Sequence, residues 1–296
     1  MNDHTASENQ GEKVTISEKT IAGGTSSNRR TRQSKHLIAD PAKRMARAEE
    51  KRRTALRFLR DEIWTTVDVI SHLLAIAYPA AYALMKQLKQ VGYVNSGTVF
   101  IPSHRGVVRS VLYGITAQGL AYAWDLSEDP EQRSPWESSK ISPLFVPHQI
   151  ATQKARIRAE KLGWSAWKPA RMMMGTGLSK IPDGEMINLE GQCIAVEIER
   201  EIKTDKRYEA VLGAYIALIK RDRRWSRIDY LCPDQEFAAR LARNFGRLKQ
   251  LRLEGKNGKA THVGELSQAH LDHFRFYVLD EWPDGAYITA KLKVTP

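Results

Sequence analysis

Three glutamates in the strand-like run 193–201 are the residues whose types and spacing most directly suggest chemistry. Successive side chains of a strand point to opposite faces, so Glu197, Glu199 and Glu201 share one face and the aliphatic residues at 194, 196 and 198 share the other. Carboxylates this close repel one another strongly unless a cation lies between them. Hard divalent ions such as Mg²⁺ and Mn²⁺ prefer oxygen ligands, so the pattern predicts a site for one of these ions.

A further ligand is expected from the preceding strand. Asp183 follows Pro182 at the start of the run 181–189, where an antiparallel partner strand would place it beside Glu197. The predicted metal ligands are Asp183, Glu197 and Glu199. Lys203 follows closely enough to orient a water or to offset charge on a phosphate in transit, which indicates phosphodiester hydrolysis or transfer. The competing interpretation is that the glutamates form the solvated face of an edge strand and pair with Lys and Arg.

The charge balance favours a nucleic-acid partner. The chain has 296 residues, with 46 Lys+Arg against 34 Asp+Glu and a net charge of +12. Such a surplus is typical of proteins that bind nucleic acid, although it also fits a membrane surface. There is no run of about 18 apolar residues, and the two cysteines are too few for a disulfide framework. We therefore expect a cytoplasmic protein with reduced thiols and no membrane insertion.

Four segments are predicted along the chain. Residues 1–52 are polar and basic, with too few apolar side chains to offset the entropy of ordering, so they are expected to form a disordered arm. Arg44 and Arg47 in this arm are expected to lie on DNA phosphates, the alternative being a solvated lead-in to a helix. Residues 53–125 form a first domain, residues 126–143 a linker, and residues 144–296 a second domain.

The first domain has the element order of a winged helix-turn-helix: three helices, a hairpin and a final helix. A capping signal at 65–68 opens the second helix, and Tyr78-Pro79 opens the third, in which Leu84, Leu88 and Val91 are expected to form a buried stripe. In this fold the third helix enters the major groove and the hairpin touches the backbone or minor groove. A winged helix used for dimerisation or protein docking is the alternative. The predicted DNA contacts are Tyr82, Lys86, Gln87 and Lys89 on the third helix and His104 and Arg105 in the hairpin.

The second domain mixes helices and strands. The expected order is α-β-β-β-α-β-α-β, which predicts an α/β or α+β sheet with helices packed on its faces. The predicted elements are a helix through 150–162, strand-like stretches at 165–168, 171–174, 181–189 and 193–201, a long helix after Thr204, a strand at 227–231, a helix at 236–251, a strand at 274–279 and an exposed tail.

Residues 144–279 resemble the PD-(D/E)xK restriction-endonuclease-like superfamily, with Pro182-Asp183 as the PD and Glu197 as the second acid. The superfamily pattern has lysine two residues after the second acid, where this chain has Glu199. The resemblance implies an αβββαβ core. Either Glu199 is an additional metal ligand and Lys203 supplies the displaced positive charge, or the site has no catalytic power. It also implies that an acid of the first helix joins the site, for which Glu160 is the candidate, with His148 and Gln149 as polar candidates.

The order of a basic arm, a winged helix and this domain is similar to the MobC family of plasmid mobilisation relaxases and, more distantly, to the replication-relaxation proteins. The resemblance implies a nickase that recognises a plasmid transfer origin, cleaves one strand with Mg²⁺ or Mn²⁺, and meets a relaxosome accessory protein and a type IV coupling protein. The alternative is a non-catalytic DNA-binding accessory protein or transcriptional regulator with a degenerate nuclease fold. The histidine-triad relaxase mechanism is disfavoured because no two histidines flank a single residue.

Overall fold

The structure is a computed structural model that describes residues 40–103, 106–125, 127–128, 130, 133–254 and 260–293. His104, Arg105 and residues 1–39 of the predicted arm lie outside the described residues. Residues Met45–Pro296 form one compact unit, and Met1–Arg44 are assigned to another. Residues 41–52, predicted to be disordered, instead begin helix α1, Pro41–Glu62. Ion pairs one turn apart, from Glu49 to Arg52 and Arg53, stabilise this stretch without apolar burial.

The elements that follow α1 confirm the predicted order. Their bounds are β1 Trp64–Thr65, α2 Val67–Leu74, α3 Tyr78–Gln90, β2 Val94–Ser103, β3 Gly106–Ile115 and α4 Ala117–Tyr122. The hydroxyls of Thr66 and Thr116 accept hydrogen bonds from backbone N–H groups and so cap α2 and α4. Strands β1, β3 and β2 form a small antiparallel sheet in that order.

One face of α3 differs from the prediction. Leu84 and Leu88 are buried as expected, but Val91 is 53% exposed, and Ala81 and Met85 complete the buried face. The cause is that α3 ends at Gln90, so Val91 lies beyond the last regular turn. The buried face packs on the core that α1 and α2 supply.

Part of the predicted linker packs on the small sheet. Trp136 donates a backbone hydrogen bond of 2.8 Å to the carbonyl of Ile115. Its ring lies where a side chain on Gly114 would be, since a Cβ there would come within 2.0 Å of the indole. Only glycine at position 114 leaves room for this contact. Two short 3₁₀ turns, Ser138–Lys140 and Pro143–Phe145, then lead to the next helix.

The rest of the chain forms a six-stranded mixed sheet with helices. The elements are α5 Val146–Lys161, β4 Ser165–Pro169, α6 Ala170–Met173, β5 Gly184–Ile187, β6 Cys193–Ile198, α7 Asp205–Asp222, β7 Arg227–Cys232, α8 Gln235–Phe245, β8 Gln250–Glu254, β9 Ala260–Glu265, α9 Gln268–Leu271, β10 Phe274–Val278 and β11 Tyr287–Thr289. The strand order is β11-β10-β7-β6-β5-β4. Strands β6, β7 and β10 are parallel, and the remaining pairings are antiparallel.

Helices cover both faces of this sheet. Ala155 and Ala159 of α5 pack with Val196 on one face, whereas α7 and α8 cover Ala195 and Tyr230 on the other. Helix α5 also contributes Ile157 to the core of the first helices. It therefore belongs to both halves of the compact unit.

Four predicted elements are corrected by the structure. The run 171–174 lies in and just after the short helix α6, because a brief apolar run does not distinguish helix from strand. Strand β6 ends at Ile198, and α8 ends at Phe245, after which β8 and β9 form a separate hairpin. The tail expected to be exposed adds β11 to the edge of the main sheet.

The described residues contain no single helix that is both long and apolar enough to cross a membrane. The pair α2 and α3 reaches that length and composition only together, across a bend of 111°.

Candidate nucleic-acid interface and acidic cluster

The four α3 residues predicted to contact DNA lie on the exposed side of that helix: Tyr82, Lys86, Gln87 and Lys89. Three of them face the β2–β3 hairpin across an open groove of about 880 Å³, which we call the α3 groove. It is lined by Thr66, Val67, Asp68, Tyr78, Tyr82, Lys86, Lys89, Gln90, Ser96, Arg109, Ser110, Val111, Tyr113 and Ile150. The structure thus brings the predicted helix face together with the hairpin, while Gln87 is exposed but is not among the groove-lining residues.

The charges of the α3 groove are mainly positive. Lys86 is exposed, and Lys89 donates a hydrogen bond of 2.7 Å to the hydroxyl of Ser96 across the groove. Arg109, which sequence reasoning missed, extends from β3 into the same groove. Among the described residues that line the groove, Asp68 is the one acid, and Nζ of Lys154 lies 2.6 Å from its carboxylate. Cations on both walls make the α3 groove suited to phosphates.

Aromatic side chains accompany these cations. Tyr78 and Tyr82 are 55% and 49% exposed at the start of α3, and Phe100 of the hairpin is 61% exposed. Exposed aromatic rings beside cations are suited to sugars and base edges, which present apolar as well as polar surface. Arg44 and Arg47, predicted to lie on phosphates, are both exposed on α1.

A second candidate site lies at the carboxyl end of β6. Because Gly184 pairs with Val196 in the antiparallel β5–β6 ladder, Asp183 stands next to Glu197. One oxygen of Asp183 accepts a hydrogen bond of 2.7 Å from the Ile198 N–H, and the other lies 3.0 Å from Nε2 of His148 on α5. Sequence reasoning ranked both Glu160 and His148 below the predicted metal ligands, and His148 is the α5 side chain that reaches these acids.

Glu197 is buried beneath α7. Its Oε1 accepts a hydrogen bond from the hydroxyl of Tyr215 and contacts the ammonium of Lys180. Burial and the charge of Asp183 raise the pKa of Glu197, although Lys180 and Tyr215 oppose that rise. We call His148, Lys180, Asp183, Glu197 and Tyr215 the acidic cluster.

The histidine of the acidic cluster is tuned towards its charged form. Burial by itself lowers the pKa of His148, but the hydrogen bond and the charge of Asp183, together with the charge of Glu197, outweigh it. The net pKa of His148 is therefore above its ordinary value. The imidazole can hold a proton beside the Asp183 carboxylate at mildly acidic pH.

Glu199 belongs to a separate contact on the same strand face. It is 4% exposed, and Lys203 contacts its Oε2 at 2.7 Å, with the hydroxyl of Tyr208 at 3.4 Å. Lys180, Glu197, Glu199, Lys203, Arg207, Tyr208, Val211 and Tyr230 line a cavity of about 90 Å³ between the two glutamates. Of the competing interpretation, the pairing with lysine holds for Glu197 and Glu199. Both glutamates are buried rather than solvated, and β6 lies between β5 and β7 rather than at an edge of the sheet.

The present arrangement does not fit a divalent metal shared by Asp183, Glu197 and Glu199. Side-chain nitrogens of His148, Lys180 and Lys203 and one backbone N–H group already contact the carboxylate oxygens that such an ion would need. Within the described part of the chain, no three His, Cys, Asp or Glu side chains are grouped so that they could hold a metal ion. The lysines supply the positive charge that the sequence argument assigned to a metal.

Glu160 does not join the acidic cluster. It lies 12 residues along α5 from His148, which is about 18 Å in a helix. Its carboxylate pairs with Arg156 at 2.8 Å, and Arg156 also contacts Glu62 at 2.8 Å, at the end of α1. The indole N–H of Trp167 donates to the same Glu62 carboxylate at 3.1 Å. Glu160 thus takes part in a junction between α1, α5 and β4.

Two members of the acidic cluster, Lys180 and Tyr215, were missed from the sequence. Lys180 precedes Asp183 by three residues in a segment without regular structure, so no periodicity points to it. Tyr215 lies seven residues after Tyr208 on α7, and this spacing puts both on the helix face that covers β6. The i, i+7 spacing was the signal available for Tyr215.

Comparison with protein families identifies the family of this chain. The model of the Replication-relaxation family matches residues 56–233, which run from α1 to the strand after the acidic cluster and include the α3 groove. Neither the curated proteins nor the solved structures contain a significant match. Because the match covers more than half of the 296 residues, the chain belongs to the Replication-relaxation family.

Proposed function

We propose that the protein binds double-stranded DNA in a replication or relaxation process, using α3 and the β2–β3 hairpin as a winged helix-turn-helix. The observation that carries the proposal is the α3 groove, where Lys86 and Lys89 face Arg109 across an open channel. Membership of the Replication-relaxation family supports a role in DNA metabolism. The net charge of +12 supports an anionic polymer as the partner.

The expected role of each side chain in DNA binding follows from its chemistry. Lys86, Lys89 and Arg109 would neutralise phosphates, which gives affinity without sequence preference. If α3 enters the major groove, Tyr82 and Gln87 would face base edges. The amide of Gln87 can both donate and accept a hydrogen bond, so it could bind one base through two contacts.

Fluorescence anisotropy with a labelled duplex tests this proposal. Lys86→Gln and Arg109→Gln are each expected to weaken binding several-fold at low salt and to reduce the slope of log affinity against log salt by about 0.9. Arg243→Gln removes an exposed cation of α8 and is the matched control, with no expected change. Equal losses in all three variants would assign the affinity to net charge alone and contradict the proposal.

A second candidate function is strand nicking at a plasmid transfer origin, as in the mobilisation relaxases that the chain resembles. The observation that favours it is the placement of Asp183 beside Glu197, with His148 and Lys180 within contact of these acids. His148 could exchange a proton with Asp183, and Lys180 could pair with a phosphate instead of with Glu197. A relaxosome accessory protein and a type IV coupling protein would be partners in this case.

A divalent requirement stays a prediction of this second function. Mg²⁺ or Mn²⁺ would polarise a phosphate, but the acids would first have to release Lys180 and Lys203. The arrangement supports a non-catalytic DNA-binding protein better, because the acidic side chains are already satisfied within the chain.

Nicking of supercoiled plasmid that carries DNA neighbouring the gene separates the two functions. Nicking by the unmodified protein that is lost in Glu197→Gln and in chelator, but kept in Glu160→Gln, would establish the relaxase function. Duplex binding without nicking, with or without Mg²⁺ or Mn²⁺, would leave a DNA-binding accessory protein or regulator. The Glu160 variant controls for the loss of a partly exposed, arginine-paired carboxylate outside the acidic cluster.

A further inference from the structure

One face of the β2–β3 hairpin is apolar and yet exposed. Phe100 lies opposite Arg109 in the ladder, and residues two positions apart on a strand share a face. Pro102 follows on the same face of β2, and Val107 and Val111 flank Arg109 on β3. All four apolar side chains are exposed, and Phe100 and Val107 are 61% and 68% exposed. We call Phe100, Pro102, Val107 and Val111 the apolar hairpin face.

The opposite face of the same hairpin belongs to a hydrophobic core. Val99 and Leu112 are buried there together with Trp64 and Val146. An antiparallel hairpin with one face on a core normally carries polar side chains on its other face, because that face stays in water. The apolar hairpin face departs from this alternation, and a contiguous exposed apolar surface is typical of a place that a ligand covers.

The apolar hairpin face continues one wall of the α3 groove. Arg109, Val111 and Tyr113 share this face of β3, and all three line the groove. Burial raises the pKa of the Tyr113 phenol, and the nearby phenols of Tyr82 and Tyr78 on α3 raise it further. The three phenols therefore lie close together, and aromatic rings border the groove on both the helix side and the hairpin side.

A ligand that matches this surface combines negative charge with exposed rings. Lys86, Lys89 and Arg109 are exposed cations of the groove, and an apolar protein surface would leave them without opposite charge. A fully paired duplex presents phosphates and base edges, but the faces of its bases are stacked inside the helix. A single strand presents phosphates together with base faces, which stack on aromatic side chains. The combination therefore favours DNA with unpaired nucleotides.

We infer that the apolar hairpin face binds unpaired bases of a DNA segment whose backbone lies on the cations of the α3 groove. The inference rests on the proposed binding of DNA through α3, and it specifies the substrate as a duplex that contains or ends in single-stranded nucleotides. Phe100 provides the ring on which a base stacks, and Arg109, directly opposite on the same face, can contact the neighbouring phosphate. Val107 and Val111 cover the rest of the unpaired base from water.

Anisotropy titrations of the full chain with a labelled duplex, and with the same duplex carrying a central run of mismatched pairs, test the inference. The mismatched DNA is expected to bind at least about fivefold more tightly, which is the scale of one base stacked on an aromatic side chain. Phe100→Thr should remove this preference and leave duplex binding unchanged, whereas Phe100→Tyr keeps the ring and should keep the preference. Val108→Thr is the matched control, because Val108 is 53% exposed on the opposite face of the same hairpin. Stacking releases no counterions, so the preference should persist as the salt concentration rises.

The outcomes separate this inference from the proposed function. Equal binding of the two DNAs, with duplex binding still weakened by Lys86→Gln and Arg109→Gln, would overturn the inference and leave the proposed function intact. A preference that survives both Phe100→Thr and Val107→Thr, with the fold unchanged by circular dichroism, would also overturn it. The absence of any DNA binding would overturn both. Self-association that Phe100→Thr abolishes, without a preference for mismatched DNA, would assign the apolar hairpin face to a second copy of the chain instead.

Discussion

In the α3 groove, Lys86 is exposed and Lys89 contacts a neutral hydroxyl, so neither lysine has its charge cancelled by a described contact. At β6, by contrast, Lys180 and Lys203 each contact a buried glutamate. The same residue type is thus available to an external anion in one region and committed to internal acids in the other.

This difference predicts that the two regions respond differently to an external phosphate. Exposed cations gain from releasing the counterions of DNA, whereas paired cations have to break a contact before they can bind a phosphate. We therefore expect the α3 groove to determine DNA affinity, and the acidic cluster to show its charges chiefly through stability and pH dependence.

The largest expected effect lies at the junction that links the two regions. Arg156→Gln leaves the buried carboxylate of Glu62 without its cation, which costs about 3–5 kcal/mol of unfolding free energy. Because α5 packs in both cores, urea unfolding followed by tryptophan fluorescence and by circular dichroism should shift as one transition. Two separated transitions would show that the regions unfold independently, and Arg158→Gln, at the exposed Asp280, is the control.

The next largest effect is expected on duplex binding, where the lysines of the α3 groove are compared with those that pair with the β6 glutamates. The double change Lys86→Gln and Lys89→Gln is expected to weaken duplex binding roughly tenfold, because each lost phosphate contact removes about 0.9 from the salt slope. Lys180→Gln with Lys203→Gln removes the same charge and should change affinity little. Anisotropy titrations at several salt concentrations measure both, and similar losses in the two double variants would break the comparison.

A smaller effect, of opposite sign, is expected from Glu197→Gln. Burial raises the pKa of Glu197, so its ionised form opposes folding at neutral pH. A carboxyl group whose pKa is higher in the folded than in the unfolded state stabilises the fold below its unfolded pKa, and this contribution is lost as the pH rises through the folded pKa. Replacing the carboxyl by the neutral amide should therefore stabilise the fold at pH 7 by about 0.5–2 kcal/mol. The side chain of Lys180 is 24% exposed, so water can hydrate its ammonium when the pairing with Glu197 is lost.

The pH series provides the control for Glu197→Gln. The gain should disappear below the ordinary carboxyl pKa of 4.5, where the glutamate is protonated in both the folded and the unfolded state. Exposed Glu201→Gln should be neutral throughout. Destabilisation by Glu197→Gln at pH 7 would show that its contacts with Lys180 and Tyr215 hold the fold together instead.

The smallest effect concerns His148→Gln. The pKa of His148 is raised, so its contact with Asp183 stabilises the fold below pH 6.5 and is lost as pH rises through the folded value. Both side chains are partly exposed, and about 0.5 kcal/mol is expected from denaturant unfolding at pH 5.5 compared with pH 8.5. His72→Gln on α2 is the control, and a pH-independent difference would contradict the assignment.

Short-range sequence signals predicted much of the secondary structure of residues 53–125. The capping threonines and Tyr78-Pro79 mark helix starts within a few residues, so the order of helices and hairpin and the exposed face of α3 followed from spacing. Asp183 beside Glu197 was also predictable, because a short antiparallel ladder fixes the register of two neighbouring strands.

Other features depended on contacts between distant segments. The sequence analysis assigned the positive charge beside Glu197 to a metal ion. It did not foresee the contacts of Lys180 and Tyr215 with Glu197, because no local pattern gives that packing. The same holds for β11, which becomes a strand because the edge of β10 is there to pair with it.

The sequence by itself determined the positive charge, the mixed α/β class, the exposed α3 face and the adjacency of Asp183 and Glu197. The tertiary structure decided which lysines are paired with glutamates and which α5 side chain reaches the acids. The physical reason is range: periodicity and capping act within a few residues, whereas charge pairing and burial depend on which distant segments the packed core brings into contact.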